Sequence, residues 1–219
     1  MGSSPKDILS PLQWEFLTLF FQGAPPFFLT GRTALSAFYL QHRYSEDLDL
    51  FTLDGNAFDR VPLYVADTAT RLIASVASLQ TAPQFHRYKL SRQEESVIVD
   101  FVRKVVPQVS EEKNNFDGIV ADTLEEITAN KICTVISRAE IKDYIDLYFL
   151  GRAGYPLEDY IHLAQQKDAG VSQAMLACLL SEFKLSKVPD YMIAPISLEE
   201  VREYFQSLSN KLAVESFPR

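Results

Sequence analysis

The chain has 219 residues, of which 47% are hydrophobic and 23% charged, a composition typical of a folded globular protein and not of a disordered one. The formal net charge of −8 argues against a protein that coats nucleic acid, and no apolar run is long enough to span a bilayer. The first residues lack the basic and apolar regions of a secretory signal, so we expect a cytoplasmic protein. Cys133 and Cys178 lie in apolar segments, which favours two buried thiols over a disulfide or a metal pair.

The first half of the chain alternates predicted helices and strands. Ser10 and Pro11 open a helix that Gly23 ends, and "PFFLT" follows as a short buried strand. The next elements are an amphipathic helix in "TALSAFYLQHR", a strand in "DLDLFTL", a turn in "DGN" and a helix over residues 61–79. The runs "QFHRYKLS" and "ESVIVDFVRK", joined by the polar "RQE", predict a hairpin. The irregular "VVPQVSEEKNNFDG" then leads into a short strand in "GIVAD".

From residue 122 onward the pattern is helical. A capping-box pair, Thr123 and Glu126, opens "TLEEITANKICTVISR", and a second helix follows in "EIKDYIDLYFLGRAG". Three more helices are predicted in "PLEDYIHLAQQKD", "SQAMLACLLSEFKL" and "SLEEVREYFQSLSNKLAV". We therefore predict an α/β (α+β) core over residues 1–121 and a helical region over residues 122–219.

Three aspartates form the chemical centre of the first half. Asp47 and Asp49 are two apart on a strand and so project from the same face, where a cation would relieve their repulsion. Asp100 lies within the apolar strand "SVIVDFV", where a carboxylate is costly unless it is paired. If the two strands are neighbours, Asp100 completes a three-carboxylate site of the kind that holds metal ions for phosphoryl transfer. Taken singly, each aspartate is also explained by solvated strand-edge charge or by pairing with an arginine.

A glycine turn precedes the first two aspartates. Gly31 stands between a strand and a helix, where its backbone can approach a phosphate, and Thr33 can cap the helix or contact that phosphate. An ordinary turn explains Gly31 equally well. Cations of the first half gather in "FHRYKLSR" and at Arg103 and Lys104, so a basic rim beside the acidic site is also predicted.

The run "LTGRTALSAFYLQHRYSEDLDLF" resembles the AbiEii/AbiGii toxin family, nucleotidyltransferase-like proteins of the DNA polymerase β superfamily. The family carries a Gly-Gly-Thr-Ala-Leu turn and then His-Arg-x-Ser-x-Asp-hydrophobic-Asp-hydrophobic-Phe, which corresponds to residues 42–51 here. The likeness extends through "TLEEITANKICTVISRAEIKDYIDLYFL" at a set of charged positions: Lys131, Arg138, Lys142, Asp143 and Asp146. It implies a polymerase-β-type nucleotidyltransferase fold, with a small mixed sheet and a C-terminal helical region that completes the active-site cleft.

The resemblance also implies an activity and its residues. The expected reaction moves a nucleoside monophosphate from an NTP to an acceptor such as tRNA or a protein, as a toxin with a cognate antitoxin. Mg²⁺, or Mn²⁺ in its place, would bind Asp47, Asp49 and Asp100, and Asp100 is alternatively a base toward the acceptor hydroxyl. Lys131 would neutralise phosphate charge. The nucleotide would contact the remaining site residues: Gly31, Arg32, Thr33, Ser45, Asp143 and Asp146.

One position departs from the family pattern. Arg32 replaces the second glycine, and a side chain resists a positive φ. Either its guanidinium takes over phosphate binding or the turn is altered and nucleotide binding weakens. Two other functions are therefore weighed: a non-catalytic nucleotide-sensing or protein-binding module with a degraded site, and a metal-dependent glycosyltransferase whose D-x-D binds a nucleotide sugar. Lys131 also admits a structural role at the edge of an apolar stripe, and Asp143 and Asp146 one as helix surface charge.

Overall fold

The computed structural model describes residues 4–216, which divide into two compact units. The first unit runs to Val106 and resumes over Glu112–Thr123, and the second comprises Pro107–Glu111 and the chain from Leu124 onward. The division into domains at 1–121 and 122–219 stays a prediction. Within the described residues, no helix combines the length and the apolarity that crossing a membrane requires.

A seven-stranded mixed sheet forms the first unit, with the strand order β3-β4-β5-β2-β1-β7-β6. The β2–β5 and β1–β7 pairs are parallel and the other neighbouring pairs are antiparallel. The strands are β1 (Phe28–Thr30), β2 (Asp47–Thr52), β3 (Ser75–Ala82), β4 (Phe85–Arg92), β5 (Glu95–Arg103), β6 (Lys113–Phe116) and β7 (Ile119–Asp122). The helices are α1 (Pro5–Ile8), α2 (Pro11–Gln22), α3 (Gly31–Thr33) with a π-helix (Ala34–Leu40), α4 (Gly55–Asp59) and α5 (Val61–Leu72). The predicted mixed α/β fold is confirmed.

The core of this unit lies on one face of the sheet. Leu48 and Leu50 of β2 and Phe101 of β5 are fully buried, as strand alternation requires. Phe20 of α2 packs on Phe101 with ring centroids 5.7 Å apart. Because apolar side chains occupy this face, the aspartates that alternate with them along β2 project from the opposite face.

The predicted helix over residues 61–79 is wrong in its second half. The helix ends at Leu72, and Ile73 adopts a left-handed conformation with φ 54°. Residues 75–82 instead form β3, which pairs with β4 along its whole length. The apolar spacing of this segment suits a helix, but backbone pairing with a neighbouring strand outweighs that local preference.

Smaller corrections concern the other connections. The "DGN" turn is the start of the short helix α4, which Asp54 caps by accepting hydrogen bonds from the N–H groups of Asn56 and Ala57. Part of the irregular "VVPQVSEEKNNFDG" is the strand β6. The helix of "TALSAFYLQHR" is mostly a wide π-type helix that Gln41 ends at φ 51°, so His42 lies beyond it, fully buried. The strand "PFFLT", the hairpin of β4 and β5 and the strand "GIVAD" are confirmed.

The second unit is helical, as predicted. Its helices are α6 (Leu124–Arg138), α7 (Ile141–Arg152), α8 (Leu157–Lys167), α9 (Gln173–Glu182) and α10 (Leu198–Ser216). Aromatic rings join them: Phe183 stacks on Tyr144 at 4.5 Å and packs on Phe205 at 5.0 Å. Glu126 of α6 binds the segment 107–111 by accepting hydrogen bonds from the N–H groups of Val109 and Ser110.

The two cysteines are free, and the expectation that both are buried is wrong for one of them. Cys133 is half-buried, whereas Cys178 on α9 is exposed. The local run "MLACLLSEF" is apolar enough to suggest burial on every side, but a helix at the surface buries only one face.

Candidate active site

A row of polar side chains crosses the sheet on the face opposite the core. Asp49 on β2 lies beside Asp100 on β5 in parallel register, and β1 places Thr30 on the other side of Asp49. Arg87 on β4 lies beside Asp100. Paired residues share a sheet face, and neighbouring strands lie about 4.8 Å apart, so these side chains form one continuous row. Asp47 precedes Asp49 by two residues and projects from the same face. The condition set for the three carboxylates, that their strands be neighbours, is met.

Gly31 approaches this row so closely that a side chain in its place would displace part of the row. Its φ is +66°, and a Cβ built there would lie 2.5 Å from Oδ2 of Asp49. A side chain there would be strained by the left-handed conformation and would force the Asp49 carboxylate to shift. The glycine turn therefore leaves the Asp49 carboxylate room to point toward the turn.

The Thr30 hydroxyl is buried beside Asp49. Its oxygen has no hydrogen-bond partner within residues 4–216, and the residue is 2% exposed. An unsatisfied buried hydroxyl is uncommon in folded proteins and calls for a partner such as water, an ion or a ligand. Its place in the row next to Asp49 makes it a group that a bound ligand can satisfy.

Arg87 holds the third carboxylate. Its Nε and Nη2 donate to the two oxygens of Asp100 at 2.8 and 2.6 Å, a bidentate geometry. The hydrogen bonds to Asp100, together with the charges of Asp100, Asp47 and Asp49, raise the pKa of the Arg87 guanidinium. The predicted basic rim thus contains one cation that lies directly on the acidic row.

Burial and a neighbouring carboxylate raise the pKa of the Asp47 carboxyl. Burial, and then the negative charge of Asp100, raise the pKa of the Asp47 carboxyl above its usual value, although Arg32 and Arg87 oppose this. The pKa is raised because burial disfavours the charged form, and because carboxylates on one face repel each other. A bound divalent cation would reverse the effect, since it favours the ionised carboxylate.

Arg32 does not strain the turn. It belongs to the short helix α3 and is absent from the non-glycine residues with positive φ in the described chain, so its position does not require glycine. Of the two alternatives for Arg32, the altered turn was argued from a side chain held at a positive φ, and that reason does not apply at this position. Its guanidinium charge lowers the pKa of Asp47, which places the cation within electrostatic range of the carboxylates.

Buried hydroxyls and an amide fix the start of β2. The Thr33 hydroxyl donates to the Asp47 carbonyl and lies 2.7 Å from the Ser45 hydroxyl. Gln13 of α2 donates to the carbonyls of Ser45 and Glu46 at 3.0 and 2.9 Å. These contacts hold the loop before Asp47 in place; contact of Thr33 and Ser45 with a triphosphate stays a prediction.

Sequence comparison identifies the family. The profile of the nucleotidyl transferase AbiEii toxin family, a type IV toxin–antitoxin system, matches residues 18–215. The chain belongs to this family. It is a nucleotidyltransferase by that membership, as the resemblance implied.

Individual similar proteins cover most of the chain. An uncharacterized protein of Aquifex aeolicus is 28% identical over 182 residues, which cover 82% of this chain and 84% of the relative. Two solved structures share the fold. JHP933 from Helicobacter pylori has a TM-score of 0.61 at 21% identity, covering 98% of this chain and 97% of the other. MenT4, a nucleotidyltransferase toxin from Mycobacterium tuberculosis, has a TM-score of 0.55 at 15% identity, covering 92% and 85%.

The later AbiEii-type motif forms a buried ionic cluster inside the second unit. Lys131 Nζ lies 3.1 Å from Asp143 Oδ1 and 2.5 Å from Asp146 Oδ2, and both aspartates are fully buried. Arg138 also donates to both oxygens of Asp143. Burial alone would raise the pKa of Asp143, but Arg138 and Lys131 outweigh it and hold the pKa below its usual value. The alternatives of a stripe-edge lysine and of helix surface charge are therefore wrong; the roles of these residues toward a nucleotide stay predictions.

The row fits a divalent cation in its chemistry. Asp47 and Asp49 supply the oxygen ligands that Mg²⁺ prefers, and the buried Thr30 hydroxyl is an unsatisfied oxygen beside them. Within residues 4–216, however, no three acidic, histidine or cysteine side chains are already arranged to hold a metal ion. Asp100, the third candidate ligand, is engaged by Arg87. Binding through all three carboxylates therefore uses the lone pairs of Asp100 that the fork leaves open, or displaces part of its pairing with Arg87.

Three residues of the site were not singled out from the sequence. Arg87 was part of a cationic run, but its pairing with Asp100 depends on the register of the hairpin. Gln13 completes a capping box with Ser10, a pattern that "SPLQ" displays and that marks it as an ordered side chain. Thr30 carries no sequence signal that separates it from any strand threonine.

Proposed function

We propose that this AbiEii-family protein catalyses magnesium-dependent transfer of a nucleoside monophosphate from an NTP to an acceptor, with tRNA as the first acceptor to test. The observation that supports this most is the row in which Asp49 lies between Thr30 and Asp100, with the Gly31 turn against its carboxylate. The reaction belongs in the cytoplasm, where NTPs and tRNA are available. The family's place in toxin–antitoxin systems supports a cognate antitoxin as partner.

In the proposed mechanism, each residue of the site has its own role in binding or positioning. Asp47 and Asp49 would hold Mg²⁺, and Asp100 would complete that set. The ion, when bound, would neutralise charge on the reacting phosphates. Arg32 would add a positive charge near the triphosphate, because it already acts electrostatically on Asp47. Gly31 would keep the turn clear of the Asp49 carboxylate, and Thr33, Ser45 and Gln13 would hold the strand in position.

The non-catalytic module remains the second candidate because of one observation. Both oxygens of Asp100 are hydrogen-bonded to Arg87, which suits a stable ion pair as well as a resting catalytic site. Arg32 no longer supports this second candidate, because the turn accommodates its side chain without a positive φ.

The test is a transfer assay with NTPs labelled at two positions. Purified protein is incubated with Mg²⁺, total tRNA and each NTP in turn, labelled on the α- or the γ-phosphate. The proposal predicts that α-label enters tRNA or protein, that γ-label does not, and that EDTA abolishes transfer. Absence of transfer with all four NTPs, together with Mg²⁺-independent nucleotide binding, would favour the non-catalytic module. Transfer of the γ-label would show a kinase and contradict both.

A further inference from the structure

Arg87 and Asp100 form a bidentate ion pair within the polar row. They face each other across the antiparallel β4–β5 pair, and their two hydrogen bonds measure 2.8 and 2.6 Å. The Asp100 side chain is 8% exposed and that of Arg87 40% exposed. The pair therefore has a buried carboxylate and a cation that reaches it from a partly open side.

A bidentate fork uses the two oxygens that a cation would need. A carboxylate bound by guanidinium at both oxygens keeps only its remaining lone pairs for another ligand. Asp49, directly beside Asp100, would share any cation that bound between the two strands. The Arg87 guanidinium and a divalent cation between the two strands would therefore both bind the carboxylate of Asp100.

We propose that Arg87 is a positioning residue that occupies Asp100 in the cation-free protein and competes with the divalent cation for it. The inference rests on the proposed function and extends it, because it assigns Arg87 control over how readily the site loads. Arg87 stabilises the three carboxylates on one sheet face while no cation is present. When the cation binds Asp100, the guanidinium is released from at least one oxygen and turns toward the open side of the row.

General electrostatics must be separated from this specific contact. Removing any nearby positive charge makes an acidic site more attractive to cations. Lys89 offers a matched control: it lies two residues from Arg87 on the same strand and the same face, is exposed, and pairs in register with Ile98 instead of an aspartate. Lys89→Gln removes the same charge without touching Asp100, and Arg87→Lys keeps the charge but removes the fork.

The experiment measures Mn²⁺ binding directly, by the loss of the free-ion signal in electron paramagnetic resonance, without nucleotide or acceptor. We expect Arg87→Gln to tighten binding about tenfold, which corresponds to about 1.4 kcal/mol. Arg87→Lys is expected to tighten it about threefold and Lys89→Gln by less than twofold, on the scale of a charge-assisted hydrogen bond against an exposed charge. Thermal melts of each variant check that the fold is retained.

A double-mutant cycle isolates the contact. In an Asp100→Asn background, Arg87→Gln is expected to change Mn²⁺ affinity by less than about twofold, because the competed carboxylate is gone. An effect of equal size in both backgrounds would overturn the inference and reduce Arg87 to a general charge. Weaker binding in Arg87→Gln and Arg87→Lys would also overturn it, since Arg87 would then be orienting Asp100 as a ligand.

The outcome also separates this inference from the proposed function. Mn²⁺ binding that Asp49→Asn abolishes but Arg87 variants leave unchanged would refute only the competition. Binding that survives Asp49→Asn would place the cation away from the row and refute both. If neither the wild-type protein nor any Arg87 variant binds Mn²⁺, Arg87 is not what excludes the cation, and the competition is refuted. The assay of α-label transfer would then still decide the proposed function.

Discussion

Replacing Gly31 by alanine tests how the glycine turn supports the carboxylate row. The added Cβ would lie 2.5 Å from Asp49 Oδ2 and 3.3 Å from Asp49 Cγ, at a backbone φ of +66°. The substitution therefore adds a local strain and a contact that cannot persist. We expect Gly31→Ala to fold but to lose nearly all cation binding and transfer activity.

The two effects differ in size. Holding a non-glycine residue in the left-handed region costs about 1–2 kcal/mol, which lowers the melting temperature of a chain of this length by about 2–8 °C. To restore an ordinary 3.4 Å contact, the Asp49 oxygen must move by about 0.9 Å relative to the new Cβ. A displacement of about 1 Å at a catalytic group costs about 100-fold in rate. The functional loss should therefore exceed what the change in stability alone would cause.

Gly118 is a matched control for the strain. Its φ is +94°, yet a Cβ built there meets no atom within 4 Å. Gly118→Ala therefore carries the backbone cost without the contact to Asp49, and it should lower the melting temperature while leaving activity near the wild-type level.

The assay compares the two alanine variants by thermal melting, Mn²⁺ binding and α-label transfer. Equal losses of activity in Gly31→Ala and Gly118→Ala would refute the reasoning, because strain alone would then account for both. Full activity in Gly31→Ala would also refute it, since Asp49 would not need its present position.

Four further predictions concern stability and reactivity. Lys131→Met should lower the free energy of unfolding by about 3–5 kcal/mol in urea titrations, because it removes the ammonium that two buried aspartates share. Lys211→Met, which breaks an exposed pair, should have little effect in the same titrations. The Asp47 pKa is raised in the folded state, so the contribution of Asp47 to stability is present below its unfolded pKa and is lost as pH rises through its folded pKa. Asp47→Asn should therefore raise the melting temperature at pH 7 without divalent cations and have little effect near pH 3. The Asp143 pKa is lowered in the folded state, so the contribution of Asp143 to stability is present above its unfolded pKa and is lost as pH falls through its folded pKa. Asp143→Asn should therefore lower the melting temperature at pH 7, and progressively less in acid. A thiol reagent should modify the exposed Cys178 rapidly and Cys133 slowly, since burial raises the pKa of the Cys133 thiol to about 11. Loss of the fast phase in Cys178→Ser checks the assignment.

The polar row was predictable because it follows from strand periodicity. Alternation along "DLDLF" placed Asp47 and Asp49 on one face, and the apolar setting of Asp100 marked it as a carboxylate that needs a partner. That the partner is Arg87 depends on which residues of β4 and β5 face each other, and no local pattern fixes that register.

The misassigned segments failed where non-local contacts decided the structure. Residues 75–79 have apolar spacing that continues the preceding helix, yet they pair with β4 as an edge strand. Lys131, Asp143 and Asp146 were identified by resemblance, but their mutual burial follows from the packing of α6 against α7, which spacing along either helix does not reveal. The altered turn, one of the two alternatives for Arg32, assumed a positive φ, and the helical conformation of α3 removes that requirement.

The most direct test of the central claim, that the sheet row is the catalytic site, is α-label transfer by Asp49→Asn beside Asp67→Asn. Asp67 is an exposed carboxylate on α5, with one oxygen 3.9 Å from Nη1 of Arg71, so its variant controls for the loss of one negative charge. The account predicts wild-type transfer in Asp67→Asn and a loss of at least about 100-fold in Asp49→Asn, with both variants folded. Transfer by Asp49→Asn at the wild-type rate would contradict it and move the active site away from the row.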